Sequence, residues 1–573
     1  MKTTLNLLAI GLAVVLFAIT SGCSRTSSEP GYVLFDWFEY QGSDPVFEKF
    51  RPGAGEFQNP LMPGFYPDPS ICRVDSDYYL INSTFSYFPG IPIFHSRDLV
   101  HWNQIGHVLD RPSQLNLDSL ELSWGVFAPA ISYNLGKYYV INTLVNGGGN
   151  FYVTATNPAG PWSDPVWFPE IDGIDPSFFF DDNGKAYVVN NGPPEGEELY
   201  PGHRALWIQE FRTDSGKLTG PRKVIVNAGV DITQKPVWIE GPHLFKKDGW
   251  YYLNAAEGGT STGHSQVIFR SRSVWGPYIP WKNNPMLTQR HLDPGRAFPV
   301  TSTGHADFVE TQHGEWWAVF LGCRPYSDDF YNTGRETFML PVTWKDGWPF
   351  VTRDAVPYVV KRPALPDHSE LGQLTGGNFI WHDEFNDTTL GMDWNFIRTP
   401  REKWYSLTSD TGFLKLNIRP VSISELKNPS FIGRRQQHAH FSASVSLQVI
   451  DLDTTETAGL IAFQNENHYL YLGIRKMEEN YVIFVERKGK DAHDGQSEMI
   501  AVKGLAVDQP SAIRLKIEGH GAEYDFYYAL EDEEWTLMQR GVDAKNLSTN
   551  IAGGFVGAYL GMYASGSHFE AGK

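Results

Sequence analysis

Three short acidic motifs lie far apart in the chain: Tyr66-Pro67-Asp68-Pro69-Ser70, Gly173-Ile174-Asp175-Pro176-Ser177 and Trp238-Ile239-Glu240-Gly241-Pro242-His243. Each sets a carboxylate beside Pro or Gly after apolar residues. Asp-Pro and Gly-Pro are turn formers, so one such motif alone reads as a turn. Three at a common offset from the strand that follows read as one unit repeated, each aiming a carboxylate at a shared point. Glycoside hydrolysis needs that convergence: one carboxyl group protonates the leaving oxygen and a second activates water or attacks carbon. Asp68 is the candidate general base. Glu240 is the candidate general acid, a role that needs a raised pKa. Asp175 is placed to raise Glu240 through like-charge proximity. A base-to-acid separation of about 6.5–9.5 Å admits a water and inverts configuration, whereas about 5–5.5 Å gives retention.

The elements that position these groups recur five times. Strand-like runs begin at Asp77-Tyr78-Tyr79, Lys137-Tyr138-Tyr139, Lys185-Ala186-Tyr187, Trp250-Tyr251-Tyr252 and Glu315-Trp316-Trp317, at spacings of 60, 49, 64 and 65 residues. About ten residues before each stands a turn: Asp68-Pro69, Ala128-Pro129, Asp175-Pro176, Glu240-Gly241-Pro242 and Gly304-His305-Ala306-Asp307. Degenerate repeats of this length indicate a radial array. In a β-propeller the innermost strands line a channel, so equivalent positions converge on one axis. The expected fold is all-β: a five-bladed propeller at 55–360, a connector at 361–377 marked by Pro363, Pro366 and Gly376-Gly377, and a concanavalin-like β-sandwich at 378–573, where short alternating strands recur without a sixth repeat. Residues 24–54 form an N-terminal segment too apolar for a free tether, with Tyr32, Phe35, Trp37, Phe38 and Tyr40.

Composition narrows the partners. The 573 residues carry a net charge of −19, so nucleic acid is not expected, because phosphate binding needs a basic face. Residues 1–23 read as a bacterial lipoprotein signal: Lys2, an apolar run from Leu5 to Ile19, then Thr20-Ser21-Gly22-Cys23. Cys23 would carry the lipid, giving a membrane contact only through that anchor and a cell-envelope location; ordinary secretion is the alternative. Cys72 and Cys323 do not make a disulfide framework and read as a possible pair or as buried thiols. No redox cofactor or nucleotide is needed, while Asp383 and Glu384 offer a candidate structural calcium site in the sandwich.

Together the motifs resemble glycoside hydrolase family 43, the five-bladed β-xylosidases and α-L-arabinofuranosidases. The matching text includes Asn59 to Ser70, Tyr87 to Ile93, His95 to Trp102, Trp238 to His243, Gly304 to Asp307 and Gly334 to Phe338; Phe431 to His438 resembles the sandwich appended to the family's xylosidases. The resemblance implies an inverting mechanism with Asp68 as base, Asp175 as pKa modulator and Glu240 as acid. It matches His305 to a histidine on the channel axis, where some members coordinate a metal, and Arg335 to a residue that contacts the sugar. Phe85 matches a subsite residue, and Trp238 would share a strand face with Glu240 if that segment is extended. The chain departs from the common xylosidase pattern at Phe127, where many members have Trp, and at Ile174, where some have Phe.

The expected activity is exo-cleavage of terminal β-D-xylosyl residues from xylo-oligosaccharides, with α-L-arabinofuranosyl groups as an extension of it. The alternatives are an α-L-arabinofuranosidase acting on arabinoxylan or arabinan side chains and, from another class, a surface glycan-binding lipoprotein without catalysis. Phe127 and Ile174 leave the choice between xylose and arabinose open.

Overall fold

The structure, a computed structural model, describes residues 31–449, 452–478, 480–489, 496–505, 512–531 and 533–566. The lipoprotein signal and Cys23 lie outside these residues. Five antiparallel sheets follow one another from Ser70 to Phe350, each led by one of the repeats. Their innermost strands are Ser70–Val74, Ala130–Asn134, Ile174–Phe180, Glu240–Lys247 and Thr301–Glu310. Each packs against the next, and the fifth returns to the first, so the ring closes. Aromatic pairs of the repeat stand on the second strands, where alternation sends one ring to each face. Tyr78 and Leu80, for example, enter one core while Tyr79 and Ile81 enter another.

Closure rests on a short ladder between Glu56–Gln58 and Val359–Lys361. Asn59 completes it: its Nδ2 donates to the Met339 carbonyl at 3.0 Å, and its Oδ1 accepts the Met339 N–H at 3.0 Å.

The sandwich stacks two antiparallel sheets. One sheet runs Ser430–Arg435, Tyr559–Ser565, Thr457–Asn465, His468–Met477, Asn480–Lys488, Glu498–Gly504. The other contains His440–Val449 and Ile513–His520, and inside it, between Leu414–Asn417 and His440–Val449, stands Tyr32–Gly42. This corrects the boundary drawn from sequence, which set 24–54 apart from the sandwich. Phe35, Phe38 and Tyr40 are fully buried there because the strand supplies both backbone pairing and an apolar face. The connector also differs from the expectation: Gln373–Leu374 pair with His101–Trp102 as the outer strand of the first blade.

One continuous apolar core runs from Ile93, Val140 and Leu144 of the first two blades to Trp394, Leu447 and Leu472 of the sandwich. Beside it, buried Arg324 donates to both Glu336 oxygens, to Asp44 and to the Gln437 carbonyl. Such a tie fixes the orientation of the two domains, since removing one partner leaves a buried charge unmatched. Cys72 and Cys323 are free thiols.

Candidate active site

A β-bulge recurs at the start of every inner strand. In the third blade Ile174 faces Asn191 but Ser177 faces Val189, which makes Asp175-Pro176 the extra step. The fourth and fifth blades insert Gly241-Pro242 and His305-Ala306 in the same way. The first and second do so at Asp68-Pro69 and Ala128-Pro129, shown by Ser83 N–H to Pro67 O and Phe127 N–H to Thr143 O. The leading bulge residue adopts a left-handed conformation at Asp68 (φ 50°), Asp175 (φ 53°), Gly241 (φ 55°) and His305 (φ 51°). That conformation is strained for a residue with a Cβ, and bulges of this kind re-aim side chains at functional sites. Buried asparagines hold the loops: Asn82, Asn142, Asn191 and Asn254 donate to the carbonyls of Pro67, Phe127, Ile239 and Ala306.

The ring sharpens the repeat. Asp68 and Asp175 are equivalent, but the residue equivalent to them in the fourth blade is Gly241. Glu240 precedes the bulge by one position, so the three carboxylates do not occupy equivalent sites as the sequence pattern suggested. Gly241 is required by crowding: a Cβ there would lie 2.8 Å from Nε2 of His305.

Asp68 is buried and held from three sides. Arg335 donates from Nη1 to Oδ1 at 2.8 Å and from Nη2 to Oδ2 at 3.4 Å, and the Ser83 hydroxyl donates to Oδ2 at 2.5 Å. Nδ1 of His305 lies 3.9 Å from Oδ1. Burial alone would raise the pKa of Asp68, but the Arg335 guanidinium, helped by His305 and Ser83, holds it below the usual carboxylate range. Asp175 accepts the Gly241 N–H at 3.2 Å and forms no ion pair among the described residues. Burial, then the charge on Asp68, pushes it up to about 7. Glu240 goes further: burial first, then Asp175 and Asp68, raise it well above the ordinary value. The site therefore favours the ionised form of Asp68 and the protonated form of Glu240, the division of labour that acid–base hydrolysis needs.

His305 is neutral, because burial lowers it to about 4 against the pull of Asp68. It packs on Gly241 beside the base. Among the described residues the only cluster of three ligand atoms is Asp98, His101 and Asp367, which does not include His305. The axial metal that the resemblance allowed thus has no preformed ligand set. Both Asp383 oxygens accept from protein donors, Phe385 N–H and Trp394 Nε1, each at 2.8 Å.

Phe85, at φ 51° and 2 % exposed, is mostly wall. It packs on half-buried Phe127, with ring centroids 4.9 Å apart. Trp238 is not on a strand face with Glu240: its φ is 55° and the strand starts only at Glu240. It lies instead under Arg204, whose guanidinium stacks 4.5 Å from its centroid and acts on Glu240 through space.

Several residues here escaped the sequence reading: Ser83, Arg204, His264 and, above all, Phe555. His264 is buried, with Nδ1 2.9 Å from the Ser302 carbonyl, and contributes to the field at Asp68. Phe555 comes from the sandwich. Its ring stacks on Phe85 at 5.9 Å, meets Phe127 at 5.8 Å, and shares the Arg335 guanidinium with Phe85. The segment Gly553-Gly554-Phe555-Val556-Gly557 reaches this position because Phe555 N–H donates to Ser123 Oγ at 3.0 Å. Gly334 also admits it, since a Cβ there would meet Gly557 Cα at 2.8 Å. Its run of glycines around one aromatic was the only signal, and nothing local told where it would dock.

The description "Glycosyl hydrolases family 43" matches residues 57–349, the span that carries the five bulges and all three carboxylates. This chain belongs to glycosyl hydrolase family 43. The sandwich of the family-43 chain matches the "Beta xylosidase C-terminal Concanavalin A-like domain" over 382–573. The whole chain is similar to a "Xylosidase/arabinosidase" of Butyrivibrio fibrisolvens, 39 % identical over 519 residues that cover 88 % of this chain and 95 % of that one. It is also similar to a "Non-reducing end alpha-L-arabinofuranosidase" of Bacteroides ovatus, 38 % identical over 519 residues and covering 89 % and 92 %. A crystal structure of a GH43_12 protein from a capybara gut metagenome superposes with a TM-score of 0.87 at 40 % identity, covering 94 % of this chain and all of that one. The family-43 protein is a glycoside hydrolase built as a propeller with an appended concanavalin-like sandwich.

Proposed function

We propose that this family-43 glycoside hydrolase is exo-acting and inverting, and that it releases terminal β-D-xylosyl residues from xylo-oligosaccharides. The observation that carries the reading is the unlike surroundings of three buried carboxylates at the bulge ring: Asp68 is held by Arg335, Asp175 accepts the Gly241 N–H, and Glu240 is buried beside their charges. Asp68, ionised beside Arg335, accepts a proton from the attacking water. Glu240, kept protonated by burial and by Asp175 and Asp68, donates to the leaving oxygen. Phe555 and its glycine-rich segment wall one side of the pocket from the sandwich, which favours a chain end over a chain interior.

A second reading, α-L-arabinofuranosidase, has its own support: Phe127 stands on the pocket wall, and a relative at 38 % identity is named for that activity. A binding-only lipoprotein would have no use for an acid and a base held in opposite protonation states. The assay is a panel of p-nitrophenyl β-D-xyloside, p-nitrophenyl α-L-arabinofuranoside, xylobiose and arabino-oligosaccharides, with the product anomer followed by NMR. Xylose released with inverted configuration from chain ends supports the first reading. Turnover of arabinosides alone supports the second, and silence on all four removes the enzymatic reading. For the N-terminus we propose export and lipid attachment at Cys23, which mass spectrometry of the membrane fraction tests directly.

A further inference from the structure

With Glu240 as the acid, the leaving sugar unit lies on the Glu240 side of the site. One cation on that side has no part in the acid–base chemistry. Arg204 stands one residue before the strand Ala205–Arg212, at the catalytic end of the third blade, where Asn191 faces both Ile174 and Leu206. Trp238 stands at the same end of the fourth blade, two residues before Glu240 opens its strand. The two segments are tied together: Trp238 N–H donates to the Gly202 carbonyl and the Tyr200 hydroxyl to the Pro236 carbonyl, each at 2.9 Å.

The Arg204 guanidinium lies over the Trp238 ring and, among the described residues, forms no hydrogen bond or ion pair. Its Nε is enclosed, but the side chain is only half-buried, and Nη1 and Nη2 reach solvent. Glu240 and Glu198 act on it through space alone, and Glu198 Oε1 already accepts the Gly202 N–H at 2.9 Å. Arg222 shows the contrast. It lies over Trp207 at the same 4.5 Å, yet its Nη2 donates to the Asp172 carbonyl at 2.9 Å and to Asn190 Oδ1 at 3.2 Å. Trp238 is also strained, since its φ of 55° is left-handed for a bulky residue, and strain of that kind gathers at ligand-binding sites.

We propose that Arg204, held over Trp238, binds the leaving xylose unit of the substrate, its outer N–H groups donating to hydroxyls of that unit. The proposal rests on the xyloside reading with Glu240 as acid. A neutral partner suits the site: Glu198 and Glu240 oppose an anion, and the guanidinium opposes a cation. A wholly apolar leaving group would leave the N–H groups idle. The aromatic contact holds the guanidinium in place before substrate arrives, so less side-chain freedom is lost when the hydroxyls dock.

The test reads binding in the full-length Glu240→Gln protein, where the acid is gone and hydrolysis of xylobiose is stalled. Calorimetry compares xylobiose, which carries the leaving unit, with D-xylose, which fills only the pocket around Asp68. Adding Arg204→Met should weaken xylobiose about tenfold and leave D-xylose within about twofold. Arg204→Lys should recover part of the loss, because it keeps a charged donor without the fork. The unchanged D-xylose affinity reports that the variant is folded. Equal losses for the two sugars would overturn the proposal and make Arg204 a structural support. Unchanged xylobiose affinity would also overturn it and confine Arg204 to its charge on Glu240, which this background lacks. Failure of the Glu240→Gln parent to bind xylobiose would overturn the xyloside reading itself, and the proposal with it.

Discussion

Arg335→Met tests the electrostatic reasoning most severely. In the native site the guanidinium contacts both oxygens of Asp68 and is the main reason that a buried carboxylate titrates below the usual range. Asp175 serves as an internal control. It occupies the same bulge position and is as deeply buried, lacks a direct guanidinium partner, and titrates at about 7. Without Arg335, Asp68 should move towards that behaviour. Breaking a buried ion pair costs ~3–5 kcal/mol, and at ~1.4 kcal/mol per tenfold step that corresponds to moving the acid limb up by roughly two to three and a half pH units.

The consequence has a direction. A group titrating near 7 is ionised to only about 1 % at about pH 5 and about half at about pH 7. The base form of Asp68 should therefore be lost at acid pH. The acid limb of kcat/KM should climb about tenfold per pH unit up to roughly neutrality, where the native enzyme is already on its plateau. The alkaline limb, set by loss of the Glu240 proton, stays above it. Arg335→Lys, which keeps the charge without the fork, should move the limb less. The assay is a pH–rate profile on a p-nitrophenyl glycoside, with thermal melting alongside to confirm folding. A loss that is uniform across pH, with the acid limb unmoved, would refute the assignment of Arg335 as the group that keeps Asp68 ionised.

The acid and base separate by leaving group. Glu240→Ala should retain most activity on p-nitrophenyl glycosides but lose about 10²–10⁴-fold on xylobiose, whereas Asp68→Ala should lose that much on both; steady-state rates on the two substrates decide it. Closure of the propeller can be probed at Asn59. Asn59→Ala strips both partners from the Met339 peptide at a buried position and should cost about 2–4 kcal/mol, measured by urea unfolding, with the pH profile of surviving activity unchanged.

Much of the site was legible because it is written locally. A residue that must sit in a left-handed bulge before a strand leaves a compact signature, Asp-Pro or Gly-Pro followed by a strand with paired aromatics. Three such turns, with looser copies at Ala128-Pro129 and His305-Ala306, make five units and imply convergence without any coordinates. Arg335 and His305 came with motifs that the family shares. Glu240 shows where the pattern misled. The motif looked equivalent to the two aspartates, yet the bulge residue is Gly241, since only a glycine leaves room for His305 above it. A one-residue offset is invisible in a turn motif and plain in a strand register.

The sequence by itself determined the strand-rich class and the repeated blades, and it offered two aspartates and a glutamate as candidates, because each follows from local turn chemistry and side-chain alternation. Only the tertiary structure decided that Tyr32–Gly42 completes the sandwich, since strand pairing over hundreds of residues leaves no trace in either partner alone. It alone brought Phe555 against Phe85 and Arg335, because that contact depends on how two domains are welded through a shared core. Protonation was likewise a tertiary property. Asp68 and Asp175 have nearly the same local motif, and what separates them is the guanidinium that the fifth blade carries to one and not to the other.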